Sequence, residues 1–115
     1  MKLVRDKIPD IIKEKGGSCV IRFPYDDNET YKFVDEKIDE EYREWRESGD
    51  EEELADLVEI IYEMVQLIGL TPGEFDKIIK KKRLERGGFD KKIILVSTKY
   101  EGYITEEEKL RNEYE

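Results

Sequence analysis

The sequence lacks histidine altogether and has a single cysteine, Cys19, among 115 residues. Without histidine, a Ser-His-Asp triad, acid–base catalysis by imidazole and an imidazole metal ligand are excluded within the sequence. One cysteine excludes an internal disulfide and fits a reducing compartment. Any metal site must therefore be built from carboxylates, which favours hard ions such as Mg²⁺ or Mn²⁺ over zinc.

Long apolar runs and excess basic charge are also missing. No stretch approaches the ~18 consecutive apolar residues of a membrane-spanning helix. The opening MKLVRDKIPD has no apolar signal core, so we expect a cytoplasmic protein. A net charge of −9 argues against nucleic acid polymers and membranes as partners. It permits nucleotides whose phosphates are screened by a divalent cation.

The residues that are present suit a single domain, residues 1–115, that is mainly all-α. Charged residues make up 44% of the chain and Gln66 is the only glutamine, a composition that resembles hyperthermophile proteins. We expect an antiparallel helical bundle with short β segments near both ends.

Periodicity and capping signals place the elements. A short helix should end at Gly16-Gly17, and longer ones should span about 28–47 and 51–68. The third long helix should begin with a Thr71–Glu74 capping box and stop at Arg86-Gly87. SCVIRFPYDD and KKIILVSTKYEGYI favour strands, and TEEEKLRNEYE favours a final helix or a frayed end.

The second long helix is apolar around more than half its circumference, which is typical of a bundle centre or a subunit interface. A three-helix chain cannot easily cover so much apolar surface, so we expect at least a homodimer. The apolar residues of this helix are Leu54, Leu57, Val58, Ile60, Ile61, Met64, Val65, Leu67 and Ile68.

Some carboxylates fall on or beside apolar faces when the helices are drawn at ~100° per residue. Glu41 borders the apolar stripe of this helix, and Glu44 lies about 60° from Glu41 on the side away from the stripe. The stripe is formed by Tyr31, Val34, Ile38, Tyr42 and Trp45. In the next helix Glu53 lies inside the apolar arc and Asp56 at its edge. Solvated arcs hold Glu47, Glu52, Glu59 and Glu63.

The short Ser48-Gly49-Asp50 turn would bring these carboxylates together. An antiparallel hairpin puts Glu44 level with Glu53 and Glu41 level with Asp56. Four dry, unpaired carboxylates would repel strongly, and one or two divalent cations would neutralise them. Acidic pairs are common in a chain this acidic, so an ordinary salt-bridged surface stays open as the alternative.

These segments resemble a known family. KIDEEYREW and EELADLVEII are similar to the acidic signature of the MazG-like all-α nucleotide pyrophosphohydrolases. KLVRDKIP and ERGGFDKKIIL resemble a small single-domain branch, MazG-related or phosphoribosyl-ATP pyrophosphohydrolase-like. The resemblance runs from Lys2 to Leu95.

The resemblance implies a Mg²⁺-binding helical bundle, a dimer or larger, that cleaves a nucleoside triphosphate between the α and β phosphorus. By matched position its metal ligands are Glu41, Glu44, Glu53 and Asp56, and Glu40 completes the motif without an assigned role. Only eight residues separate Glu44 from Glu53, fewer than in typical MazG domains. The number of metal ions therefore stays open.

Further roles are less sharply defined. With no histidine, Glu44 or Glu53 would serve as the catalytic base. Lys82 and Arg86 match basic positions of the family and would bind phosphate, unless KKKRLER is simply a solvated face. Arg5 and Lys7 are weaker phosphate candidates. The stripe of Tyr31, Tyr42 and Trp45 is more typical of core than of a base-stacking site.

The sequence thus predicts a Mg²⁺-dependent nucleoside triphosphate pyrophosphohydrolase, with the removal of non-canonical nucleotides as a candidate role. Phosphoribosyl-ATP hydrolysis in histidine synthesis is the alternative enzyme activity. A helical interaction module without catalysis is the alternative of another class.

Overall fold

A computed structural model describes residues 1–100, which form four α-helices and no strand. The helices are α1 (Ile8–Glu14), α2 (Asp27–Ser48), α3 (Glu51–Leu67) and α4 (Pro72–Arg86). The predicted mainly all-α class is confirmed. Within this part of the chain, no helix combines the length and the apolar character needed to cross a bilayer.

The hairpin of α2 and α3 is defined by its caps. Asp26 accepts a hydrogen bond from the Glu29 amide at 2.8 Å and starts α2. Gly49 ends α2 in the left-handed conformation, φ 65°, and its amide donates to the Trp45 carbonyl at 2.9 Å. Asp50 then accepts from the Glu52 amide at 3.0 Å and starts α3. The chain therefore reverses within two residues, and α3 runs antiparallel along α2.

The predicted capping box starts α4. The Glu74 amide donates to the Thr71 hydroxyl at 3.1 Å, and the Thr71 amide donates to the Glu74 carboxylate at 3.3 Å. The Tyr62 hydroxyl on α3 donates to Asp76 at 2.6 Å, and its ring meets the edge of Phe75 at 5.7 Å. These contacts attach the first turn of α4 to the second half of α3.

The predicted β segments are wrong for the residues that the structure covers. Residues 17–24 and 92–100 form no helix and belong to no sheet. A high β propensity produces a strand only when a neighbouring strand satisfies its backbone groups, and residues 1–100 supply no such neighbour. The end of the second predicted β segment and the predicted final helix lie in 101–115, outside the described residues.

The apolar core of the described chain is thin. Val34 on α2 and Val65 on α3 are buried, at 1% and 4% exposure. Leu54 and Val58 of α3, and Ile68 directly after it, keep much of their surface in contact with solvent. The radius of gyration is 19.4 Å, whereas a compact domain of about 100 residues has roughly 13 Å. The hairpin is thus a single layer with one apolar side incompletely covered.

We expect the Gly49→Ala variant to lose about 1 kcal/mol of unfolding free energy, because a side chain in the left-handed region strains the backbone. An added Cβ would meet no atom within 4 Å at Gly49 or at Gly88, so neither substitution causes a clash. Urea unfolding at one protein concentration measures the change.

Gly88→Ala is the matched control, since Gly88 does not adopt a positive φ and its alanine variant should lose no stability. Equal stability of the two alanine variants would contradict this explanation of the turn.

Candidate metal centre

Three carboxylates converge where α2 faces the start of α3. Glu41, Glu53 and Asp56 each place one oxygen within 4.8 Å of the others'. We call these three residues the acidic group. They stand at the levels that the antiparallel hairpin predicts, because the two-residue turn sets the alignment of α3 along α2. The spacing allows a single cation to contact all three.

Glu41 is the most deeply buried member of the acidic group. It is 5% exposed, and its Oε1 pairs with the Lys37 ammonium at 3.1 Å. Its Oε2 is buried and has no hydrogen-bond partner. A buried carboxylate oxygen without a donor is destabilising, commonly by about 1–3 kcal/mol or more. A hard cation would satisfy this oxygen, so the residues present fit a metal ion bound by oxygen ligands.

Glu53 has a strongly perturbed ionisation. Its partial burial, followed by the adjacent carboxylates of Glu44 and Glu41, raises the pKa of Glu53 to about 7. Desolvation and like charge both disfavour the ionised form. Near neutral pH, both the protonated and the ionised forms of Glu53 are therefore populated.

Glu44 adjoins the acidic group through Glu53 and is half-buried. Its carboxylate interacts with Glu53, as the sequence predicts for two residues at the same level. The converging oxygens nevertheless come from Glu41, Glu53 and Asp56. The four predicted ligands thus divide into three that converge and one neighbour.

The order of burial differs from the sequence prediction. Helical periodicity put Glu53 within the apolar arc and Glu41 only beside one, yet Glu41 is the more deeply buried. Glu53 lies three residues after the N-cap Asp50, in the first turn of α3 near the end of the hairpin. Solvent exposure of Glu47, Glu52, Glu59 and Glu63 is confirmed.

Lys37 is the residue near the site that sequence reasoning missed. Its ammonium lies 3.1 Å from Glu40 and 3.1 Å from Glu41. Burial alone would lower the pKa of Lys37, but the hydrogen bonds to Glu41 and Glu40 outweigh it and raise the pKa. The signal was available, because lysine and glutamate four residues apart share a helix face.

Glu40 is held away from the acidic group. It pairs with Lys37 and, at 3.1 Å, with Lys2. Burial opposes ionisation of Glu40, yet the hydrogen bonds from Lys2 and Lys37 prevail and lower its pKa. Glu40 therefore ties the N-terminal segment to α2, a structural role for a motif residue that had none assigned.

Among the predicted phosphate ligands, Arg5 reaches the acidic group. Its guanidinium donates to Asp56 at 2.7 Å. Lys7 is exposed at the N-terminus of α1. Lys82 and Arg86 are exposed on the second half of α4. No contact seen within residues 1–100 joins Lys82 to the acidic group.

A small cavity lies on the other side of Lys37. It has a volume of about 180 Å³, and its lining includes Lys2, Phe33, Lys37 and Arg43. Sites for drug-sized ligands usually measure roughly 300–1,000 Å³. This cavity alone is therefore too small to enclose a nucleotide.

Comparison with protein-family models, with curated proteins and with solved structures finds no match for the chain. The functional interpretation therefore depends on the geometry of the acidic group and on the sequence resemblance.

We expect the metal-free protein to melt at a lower temperature at pH 8 than at about pH 5.5. A carboxyl whose pKa rises from about 4.3 in the unfolded chain to about 7 in the folded one favours folding at low pH. Its contribution is complete below the unfolded pKa and is lost as pH rises through 7. Thermal melts in a chelator at several pH values measure this dependence.

Glu53→Gln removes the titrating group, so the melting temperature of this variant should depend less on pH between about pH 5.5 and pH 8. Glu59→Gln changes an exposed carboxylate on the same helix and should leave the slope as in the wild type. A Glu53→Gln profile as steep as the wild-type profile would show that another group causes the dependence.

Proposed function

We propose that the protein is a Mg²⁺-dependent nucleoside triphosphate pyrophosphohydrolase that yields a nucleoside monophosphate and pyrophosphate. The observation that carries the proposal is the buried, unpartnered Oε2 of Glu41 beside Glu53 and Asp56. Such a group has little structural value without a cation, because its charges repel and are poorly solvated. The choice of the α–β phosphoanhydride bond comes from the resemblance to MazG-like enzymes.

Glu41, Glu53 and Asp56 would hold the metal ion. Bound there, Mg²⁺ would offset phosphate charge and polarise a water molecule. Glu44 or Glu53 would accept the proton of the attacking water, as the sequence predicts. Glu44 lies beside Glu53 and is not one of the three converging ligands, which leaves its carboxylate available for this step.

Arg5 is the proposed phosphate ligand nearest to the acidic group. Its exposed guanidinium already lies on Asp56, and an arginine fork suits phosphate oxygens. A nucleotide phosphate arriving at the acidic group would compete with Asp56 for Arg5. Lys7, Lys82 and Arg86 stay proposed phosphate ligands on the strength of the resemblance.

We further propose that the working form is a homodimer or a larger homo-oligomer. Two buried apolar residues are a small core for the described chain, and the apolar side chains of α3 remain partly exposed. A second copy that covers this face would add the missing layer. The same contact would help enclose a nucleotide, for which the cavity in one chain is too small.

Mg²⁺ or Mn²⁺ should raise the melting temperature of the wild type. A ligand at a hundred times its Kd stabilises the folded state by about 2.7 kcal/mol. Glu41→Gln should lose most of this response, because it removes one of the three converging carboxylates.

Glu59→Gln is again the control and should keep the full response. If Mg²⁺ and Mn²⁺ leave the wild-type melt unchanged, the proposed metal centre is wrong and the interaction module becomes the better interpretation.

We expect Glu53→Gln and Asp56→Asn to reduce pyrophosphate release by at least about 100-fold, since a lost ligand or base commonly costs this much. The assay incubates the protein with Mg²⁺ and separate nucleoside triphosphates, and in parallel with phosphoribosyl-ATP. Glu59→Gln should retain activity.

Release from nucleoside triphosphates alone would support the proposed activity, and release from phosphoribosyl-ATP alone would support the alternative enzyme. Near wild-type rates in both Glu53→Gln and Asp56→Asn would refute the site.

A further inference from the structure

Two non-helical segments of the chain expose unusual apolar surface. We call residues 18–24 the first arm and residues 93–98 the second arm. Their apolar side chains lie in solvent; the least exposed of them, Ile21, keeps 57% of its surface accessible. The residues concerned are Val20, Ile21, Phe23, Ile93, Ile94, Leu95 and Val96.

The backbones of the arms also lack main-chain partners within the described residues; the Phe23 carbonyl accepts from the neighbouring Arg22 side chain at 3.3 Å. No backbone-to-backbone hydrogen bond of the described chain involves residues 18–24 or 93–98. Both arms are rich in β-branched and aromatic residues, which favour strands. A strand-forming segment with unpaired amides and carbonyls is a template for pairing with another chain.

Local contacts hold each arm in place at one end. Arg22 pairs with Glu29 on α2 and lies over the Tyr25 ring, 4.3 Å from its centre. The second arm follows a turn in which the Lys92 amide donates to the Phe89 carbonyl at 3.0 Å. The arms are thus anchored where they leave the helical body, and their apolar side chains stay accessible.

We infer that the first arm of one copy pairs with the second arm of another copy as an antiparallel β ribbon. Neither arm has a strand partner within residues 1–100, and a second copy offers each arm the segment that it lacks. A two-fold dimer would form this ribbon twice. The inference does not depend on hydrolase activity.

Charge favours the antiparallel direction. The first arm leads into Asp26 and Asp27, and the second arm follows Lys91 and Lys92. Antiparallel pairing sets the two lysines near the two aspartates, which cap and begin α2, and opposite charges that approach each other attract. Parallel pairing would instead set the lysines beside Gly17 and Ser18. The antiparallel alignment places Cys19 opposite Thr98 or its neighbour.

Cys19 makes the ribbon testable, because it is exposed and is the only cysteine. Thr98→Cys and Ile93→Cys each add one thiol at an exposed position of the second arm. After diamide oxidation of the full chain, non-reducing electrophoresis and peptide mass spectrometry identify the linked residues. Far-UV circular dichroism checks that both variants keep their helices.

We expect Thr98→Cys to form an interchain disulfide with Cys19 at least about tenfold faster than Ile93→Cys, since a disulfide requires Cβ atoms within roughly 4.5 Å. Two controls measure disulfides between identical positions of two copies. The wild type can link only Cys19 to Cys19, and the Cys19→Ser/Thr98→Cys variant can link only position 98 to position 98. The interchain product should form more slowly on dilution.

Three results would overturn the ribbon: a bond within one chain between Cys19 and the thiol introduced by Thr98→Cys, equal rates for the two variants, or no bond between the arms. Sedimentation of the wild type separates two further cases. A dimer without crosslinks between the arms would contradict the ribbon but agree with association through the helices. A monomer would contradict both the ribbon and the proposed homo-oligomer. Neither result bears on the metal centre, which the melts and the pyrophosphate assay test separately.

Discussion

The repulsion among carboxylates between α2 and α3 is the constraint on which the site depends. Packing the two helices forces Glu41, Glu53 and Asp56 together, and only part of their charge is compensated. Lys37 is shared between Glu40 and Glu41, and Arg5 reaches Asp56 from the N-terminal segment. Partial burial and the adjacent carboxylates raise the pKa of Glu53 to about 7, so this side chain is partly protonated near neutral pH. The apolar contacts of the hairpin, centred on Val34 and Val65, must hold the helices together against this repulsion.

The same tension connects stability with the proposed activity. A site that is destabilised without a cation gains more when a cation arrives, because ligand binding to the folded state adds to stability. Metal binding would also displace the proton from Glu53, so affinity should grow as pH rises through its pKa. Arg5 also connects stability with the proposed activity. It offsets the charge of Asp56 in the free protein, and its guanidinium could bind a phosphate. The residues that limit stability are therefore those that the proposed chemistry uses, which is common at functional sites.

The helices and the convergence of Glu41, Glu53 and Asp56 could be predicted from the sequence because both follow from short-range rules. Gly49 and Asp50 indicate the turn, the Thr71–Glu74 box indicates the start of α4, and a two-residue reversal fixes which residues of α2 and α3 stand level. The depth of Glu41 was not predictable from a helical wheel, because burial depends on which residues of the facing helix cover each position. The strands failed for a related reason. Residues such as Val20 and Ile94 carry β propensity, but a sheet requires a partner whose position no local pattern encodes. Lys37 was overlooked although its spacing to Glu41 signals contact.

The two-residue reversal at Gly49 also determines how this site can vary. A residue inserted into the turn and taken up by the start of α3 would rotate the residues after it by ~100° about the helix axis relative to α2. Glu53 and Asp56 would then face away from Glu41 even though every ligand remained in the sequence. Substitutions on the exposed arcs of α2 and α3 leave this alignment unchanged. The length of the connection is therefore as much a part of the candidate site as the carboxylates themselves.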